Sequence, residues 1–333
     1  MKTKTVTSFA VYIVLLVVLL VSVLLSLKFG AQTTSFTEVW KVVSHSDTTS
    51  DTAAIIQTRE TRTWLAIVVG IALAISGQLM QVVTRNPLAD PGILGVNSGA
   101  ALAVVIGFTI GGVLAPFTQT FLALLGASLA AAVVYAVSTK VNTLNVALTL
   151  VIVGTSLSAA CGSIITLMIL ARQNTLDQYR VWQLGSVAGR DASILTITVP
   201  LIVIAFALSV YLSSSLNILA LGDRVANALA PDVNRTKLLC VTTAVLLTGS
   251  ATAIAGPVAF VGLVVPHVAR ALVGVDQRKM LAAVLFLGPI LMVLADVIGR
   301  IIHQPGEVPV GVMTAFVGVP VFLYVVRKRR VLS

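Results

Sequence analysis

Apolar residues along this chain fall in long runs separated by short polar connections. A helix needs about 20 mostly apolar residues to cross roughly 30 Å of hydrocarbon. Runs of that kind lie at 9–27, 63–82, 92–110, 114–137, 145–170, 192–212, 237–255, 280–298 and 308–326, with a shorter one at 257–273 broken by Pro257 and Pro266. The pattern predicts an all-α polytopic membrane protein of about ten transmembrane helices per protomer, with both termini on one side. If 237–273 re-enters rather than crossing twice, both count and topology change. Lys2 and Lys4 precede the first run, as in a signal peptide, but the run is long for one and no small-x-small cleavage site follows Lys28. It is read as an uncleaved span. The sizeable polar stretches, 30–62, 172–191 and 213–237, are too short to be folded domains. Residues 1–333 are therefore expected to form a single transmembrane domain with an inner loop at 213–237.

Charge fixes the orientation. With both termini in the cytoplasm, fourteen of the 22 lysines and arginines fall inside and eight outside, as the positive-inside rule requires. Six of the outer eight (Arg59, Arg62, Arg172, Arg180, Arg190, Arg300) are arginine. Composition agrees: 57% of the 333 residues are hydrophobic and 10% charged, against about 25% charged in soluble domains. Mean hydropathy is +1.03. These values exclude a cytosolic enzyme, a nucleic-acid binder and a disordered scaffold. The net charge of +10 reports topology and contact with anionic lipid headgroups rather than nucleic acid. The predicted location is the cell (inner, cytoplasmic) membrane, multi-pass.

Candidate chemistry is sparse. There is no G-x-x-x-x-G-K-[ST], no H-E-x-x-H, no G-x-S-x-G and no Cys/His cluster, so no catalytic, cofactor-binding or metal-ligating residue is assigned. Cys161 and Cys240 lie in apolar runs and read as packing residues. His45 falls in an outer polar loop, His267 at a helix break after Pro266, and His303 near an outer boundary. Asp296 stands four residues before Arg300, the spacing of an i,i+4 ion pair. Ionisable residues deep in the apolar runs are otherwise scarce, which disfavours an ion-coupled secondary transporter. Glycine and proline say more. The run from Arg85 to Gly92 reads as a tight inner turn, and Gly256 to His267 as an interrupted helix at membrane depth, tolerable only against protein or a water-filled path. Gly107 with Gly111, and Gly185 with Gly189, have the spacing of close helix packing.

Three blocks carry a resemblance. The first is Ala72-Leu73-Ala74-Ile75-Ser76-Gly77, then Met80-Gln81, then Asn86-Pro87-Leu88-Ala89-Asp90-Pro91-Gly92-Ile93-Leu94-Gly95. The second is Leu219-Ala220-Leu221-Gly222-Asp223 followed by Gly256 through His267, and the third is Pro305-Gly306-Glu307-Val308-Pro309-Val310-Gly311. In this order they resemble the iron-siderophore and cobalamin permeases, the membrane subunits of type II ATP-binding-cassette (ABC) importers, over essentially the whole chain.

The resemblance implies the ten-span type II importer fold. It implies a dimer, of two copies or with a paralogue, seated on two ABC ATPase subunits that bind the ATP and Mg, and fed by an extracytoplasmic substrate-binding protein. The expected cargo is a ferric siderophore or related iron chelate, with haem and cobalamin as alternatives. By motif position, Arg59, Arg62 and Arg300 resemble the arginines that dock the binding protein. The segment 219–235, with Leu221, Gly222, Asp223, Ala226, Leu229 and Ala230, resembles the ATPase-coupling element. Asn86, Pro87 and Leu88 resemble the cytoplasmic gate. Two departures stand out: Leu229-Ala230-Pro231 where the family usually has Leu-Gly, and Arg59-Glu60-Thr61-Arg62 where it typically has Arg-x-Pro-Arg. The second places Glu60 where it could partly neutralise the arginines.

Overall fold

The computed structural model describes residues 6–30, 32, 34–44, 49–140, 146–229, 232–304 and 306–330. Lys2, Lys4, His45, Asn145, Ala230, Pro231 and Pro305, singled out above, lie outside the described residues. Among the described residues the regular structure is helical: α1 (Val6–Lys28), α2 (Phe36–Val43), α3 (Asp51–Val83), α4 (Val96–Gly111), α5 (Pro116–Lys140), α6 (Val146–Ala171), α7 (Gln173–Gln183), α8 (Ser193–Ala220), α9 (Asp223–Leu229), α10 (Val233–Ala255), α11 (Val261–Val273), α12 (Gln277–Ile302) and α13 (Val310–Arg330), with a 3-10 turn at Pro91–Leu94. Seven of these helices, α1, α3, α5, α6, α8, α10 and α12, are long and apolar enough to cross a membrane. Val96–Gly111, Val261–Val273 and Val310–Leu323 are apolar but shorter.

Helix α3 is the hub, packed against α12, α10, α11, α8 and α1. Its small residues make that possible. A Cβ on Gly77 would lie 2.0 Å from the Gly262 carbonyl oxygen of α11, and one on Gly70 would lie 2.6 Å from the Gly288 backbone of α12. Backbones meet there with no side chain between them, the close approach that membrane helices use in place of a hydrophobic driving force. Helices α1, α5, α6 and α8 stand at the periphery, with only about a fifth to two fifths of their apolar stretch buried.

The predicted interruption is present but shorter than expected, spanning 256–260, with Pro266 and His267 inside α11 rather than at a break. Helix α10 ends at Ala255, the chain turns through positive φ at Gly256 (+74°) and Phe260 (+68°), and α11 starts at Val261. Buried backbone groups need partners in hydrocarbon. Ser186 N–H donates to the Ala255 carbonyl at 2.7 Å, and Gly311 N–H to the Gly185 carbonyl at 3.0 Å. The loop after α7 thus completes the interrupted helix.

Several sequence-based boundaries change. The run at 63–82 is part of a helix that starts at Asp51, with Ser50 accepting the Ala53 N–H as its cap. Arg59 and Arg62 therefore ride on a helix rather than in a loop. The stretch 30–62 also holds α2, closed by a capping box between Ser35 and Glu38. The stretch 172–191 holds α7, and α8 continues to Ala220, so much of 213–237 is helical and the connection proper is short. Gly185 and Gly189 lie in the loop after α7 at φ +69° and +63°, not on a helix face. Their spacing carries no helix packing.

Candidate functional site

Two polar clusters stand at opposite ends of α3. At the predicted outer end, Arg59, Arg62 and Arg300 converge, brought together by α3 and α12 running side by side. All three are buried, at 7%, 9% and 2% relative exposure. Arg62 donates from Nε to both oxygens of Asp296 at 2.9 Å and from Nη2 to Oδ1 at 2.7 Å. Arg300 meets the other oxygen of Asp296 at 2.8 Å and also donates to Ser26 of α1 and to the carbonyl of Phe29 just beyond it. The i,i+4 pair is therefore real but only half of the contact. Arg62 also reaches Glu307 Oε2 at 2.6 Å.

Arg59 has a different environment. It donates to the carbonyls of Leu27, Lys28 and Gln32 and to Thr34 Oγ1, folding the α1–α2 connection over itself. The three arginines line a cavity of about 320 Å³ with Gly30, Gln32, Ile55, Thr58 and Glu307. Glu60 is exposed, and the carboxylates placed against the arginines are Asp296 and Glu307. Sequence reading assigned no role to Glu307. The one available signal was charge: three arginines at one membrane end require counter-charges, and the third motif block supplies one.

At the predicted inner end, α3 stops at Thr84 and the chain enters its turn with Arg85 at φ +50°. Asn86 Oδ1 accepts the Leu88 N–H at 3.0 Å and Asp90 Oδ1 the Gly92 N–H at 2.8 Å, so the turn is held by its own side chains. Burial pushes the Asp90 carboxyl above its ordinary range despite that N–H. Pro87 lines a cavity of about 690 Å³ together with Gln81, Arg85, Asn217, Leu221 and Arg270. Its walls are cross-linked. Gln81 donates toward the Gly262 and Leu263 carbonyls and accepts from Arg270 at 3.2 Å, while Asn217 accepts the Gln277 N–H at 2.9 Å.

The segment resembling the coupling element begins on that cavity. Leu221 ends α8, Gly222 turns at φ +108°, and α9 runs from Asp223 to Leu229. Ala226 is fully buried, whereas Leu221, Val225 and Leu229 are exposed at 62%, 43% and 61%. Within α9 the i, i+4 spacing of Val225 and Leu229 puts them on one face, while Leu221 lies before the turn at Gly222. On α6, exposed Thr155, Ser156, Ser163 and Thr166 each donate back to the carbonyl four residues earlier. That face mixes these internally bonded hydroxyls with the exposed side chains of Ile152 and Leu170.

Long apolar helices packed on a glycine-lined hub, with an interrupted helix and polar clusters at both ends, define a multi-pass membrane transport protein rather than an anchor. Comparison with known proteins narrows the class: the chain belongs to the FecCD transport family, whose sequence profile matches residues 18–328. It is 38% identical to the ferric enterobactin transport system permease protein FepD of Escherichia coli (strain K12), over 95% of this chain and 94% of that protein. It is 36% identical to the probable siderophore transport system permease protein YfiZ of Bacillus subtilis (strain 168), covering 98% of each chain. The hemin transport system permease protein HmuU of Yersinia pestis is 35% identical over 95% of both. A solved chain described as an inward-facing conformation of a transporter of the metal-chelate ABC type superposes with a TM-score of 0.84 at 26% identity, over 96% of this chain and 99% of that one. The protein is a transport subunit of the cell membrane, and ATP hydrolysis belongs to a separate subunit.

Proposed function

We propose that this chain is the permease of a type II ABC importer that translocates a ferric siderophore or related iron chelate, handed over by an extracytoplasmic binding protein. The ten spans are the seven long helices plus α4, α11 and α13, with both termini in the cytoplasm. Two protomers, identical or paralogous, enclose the pathway and sit on two ATPase subunits that carry the ATP and Mg. Relatives named for ferric enterobactin, siderophore and hemin transport support the cargo class.

The observation that carries the mechanism is the exposed apolar pair Val225 and Leu229 on the seven-residue helix α9, preceded by exposed Leu221 at the end of α8. A helix so short is not stable alone, and its apolar pair loses about 25 cal/mol per Å² while it faces water. A groove on the ATPase would satisfy both. Asp223 begins that helix and Ala226 seats it, so displacement of the ATPase reaches α8 through Gly222. Because Leu221 and Pro87 share one cavity wall, the same movement reaches the turn of Asn86, Pro87 and Leu88, which acts as the cytoplasmic gate. The hydroxyl-bearing face of α6 suits a pathway that holds cargo loosely. At the outer end, Arg59, Arg62 and Arg300 receive an acidic residue of the binding protein, for which the guanidinium fork provides two-point geometry.

The test is ATPase activity in proteoliposomes holding the permease with its ATPase, adding binding proteins loaded with ferric siderophore, haem or cobalamin in turn. Stimulation by the ferric-siderophore form supports the reading. Stimulation by cobalamin alone overturns the cargo, and failure to assemble with any ATPase overturns the mechanism.

A further inference from the structure

The outer cavity is short of negative charge. Three guanidiniums, Arg59, Arg62 and Arg300, face two carboxylates, and those two are held very differently. Asp296 is 1% exposed and has both oxygens occupied by Arg62 and Arg300. Removing it would strand buried charges, so it is a fixed part of the wall. Glu307 lies in the connection between α12 and α13, its side chain is 35% exposed, and among the described residues its one ion pair is with Arg62 Nη1.

The backbone around Glu307 is anchored independently of that contact. Val308 N–H donates to the Gly299 carbonyl at 3.0 Å, and Gln304 Nε2 to the Gly30 carbonyl at 3.3 Å. The Glu307 side chain can therefore leave Arg62 without unravelling the connection. Two donors in the wall lack a carboxylate. Arg59 finds carbonyl and hydroxyl acceptors, and Arg300 Nε is buried with no hydrogen-bond partner among the described residues. The cavity, about 320 Å³, has room for a carboxylate side chain and several waters, each taking ~30 Å³.

The geometry points to Glu307 as an exchangeable internal carboxylate, which occupies Arg62 while the permease is undocked and gives way to an acidic side chain of the binding protein. This rests on the docking reading of Arg59, Arg62 and Arg300 given above. Glu307 would then set how tightly the binding protein is held. It would keep Arg62 paired in the free state, lower the docking affinity, and speed release by reclaiming the arginine. A transporter that cycles through repeated docking gains from this, since a buried arginine left bare would be costly and one paired irreversibly would stall.

The experiment uses the full transporter in nanodiscs and the binding protein that stimulates its ATPase, with affinity and dissociation measured from low to high salt. Glu307→Gln keeps the shape and removes the charge. It is expected to tighten binding roughly three- to tenfold, the scale of one partly exposed charge-assisted contact withdrawn from competition, and to slow dissociation. If Glu307→Gln weakens binding or leaves it unchanged while Arg59→Gln still weakens it, Glu307 merely orders Arg62 and the exchange is wrong, although docking stands. If salt, Arg59→Gln and Glu307→Gln all leave affinity unchanged, the docking reading itself fails. A second measurement needs no binding protein. The thiol introduced by Glu307→Cys should react faster with an anionic than with a cationic thiosulfonate, and equal rates would overturn the cation-rich cup on which the exchange depends.

Discussion

Replacing Asp296 with asparagine should show that the outer arginines are first of all a structural cross-link. Asp296 accepts three contacts from Arg62, at 2.9, 2.9 and 2.7 Å, and one from Arg300 at 2.8 Å. Both arginines are largely buried, so the few waters of the outer cavity replace the lost charge only in part. Asparagine keeps one acceptor and removes the counter-ion of two buried guanidiniums, for which the expected loss is about 3–5 kcal/mol. The contact joins the start of the apolar part of α3 to the end of α12, and through Arg300 to the end of α1. Loss should therefore loosen one whole end of the bundle. Equilibrium unfolding in mixed micelles measures it, with a double-mutant cycle of Asp296→Asn and Arg300→Met. Within that cycle the two changes should fall short of additivity by about 2 kcal/mol. A loss below ~1 kcal/mol, or strict additivity, would refute the argument, because the arginines would then be solvated and free. Glu60→Gln, on the exposed side of the same helix, is the control and should change stability by less than ~0.5 kcal/mol.

Leu221→Asp with Leu229→Asp should abolish co-purification of the permease with its ATPase while leaving the membrane fold intact; retained assembly would mean that this apolar surface is not the docking face. Gly222→Val places a β-branched residue at φ +108°, which costs about 1–3 kcal/mol, and should separate ATP hydrolysis from uptake, read as the ratio of the two rates. Gly77→Leu forces a side chain into the Gly262 backbone and should sharply reduce the yield of folded protein, read by gel filtration in detergent. Asp276 caps α12; burial opposes its ionisation, but the N–H groups of Arg278 and Lys279, the Asn217 amide and the Lys279 charge outweigh it and hold the carboxyl below its ordinary range. Its contribution is fully present above the ordinary carboxylate pKa and is lost as pH falls through the lowered value. Asp276→Ala should thus cost ~1 kcal/mol at neutral pH, with the difference from the parent vanishing in strong acid.

Helices were legible in the sequence wherever the apolar run matched the membrane, as for α1, α10 and α12, because burial in hydrocarbon demands an uninterrupted apolar stretch. Helix α3 was legible only from Thr63 onward, since Gln57-Thr58-Arg59-Glu60-Thr61-Arg62 reads as a polar loop. A finer signal was present: Ala53, Ile56, Arg59 and Arg62 recur every third residue, and all four are buried. The period continues the apolar stripe into arginine, as it should where a helix passes from lipid into a polar cluster of its own fold. Asp296 and Arg300 could be paired from their spacing, but Arg62, 234 residues away from Asp296, could not. The same limit applies to Gly77 and Gly262, whose contact depends on how two distant helices cross. The motif blocks did mark the turn at Asn86 and the segment after Ala220. The cavity that links them became visible only when α3, α8 and α11 were seen to end together.

Uptake of radiolabelled iron as a ferric siderophore, into proteoliposomes holding the permease with its ATPase and supplied with loaded binding protein, tests the central claim most directly. The account predicts accumulation that requires ATP on the ATPase side, persists when the proton gradient is collapsed, and disappears with Leu221→Asp and Leu229→Asp. Accumulation that follows the proton gradient, and continues without ATP or the ATPase, would contradict it.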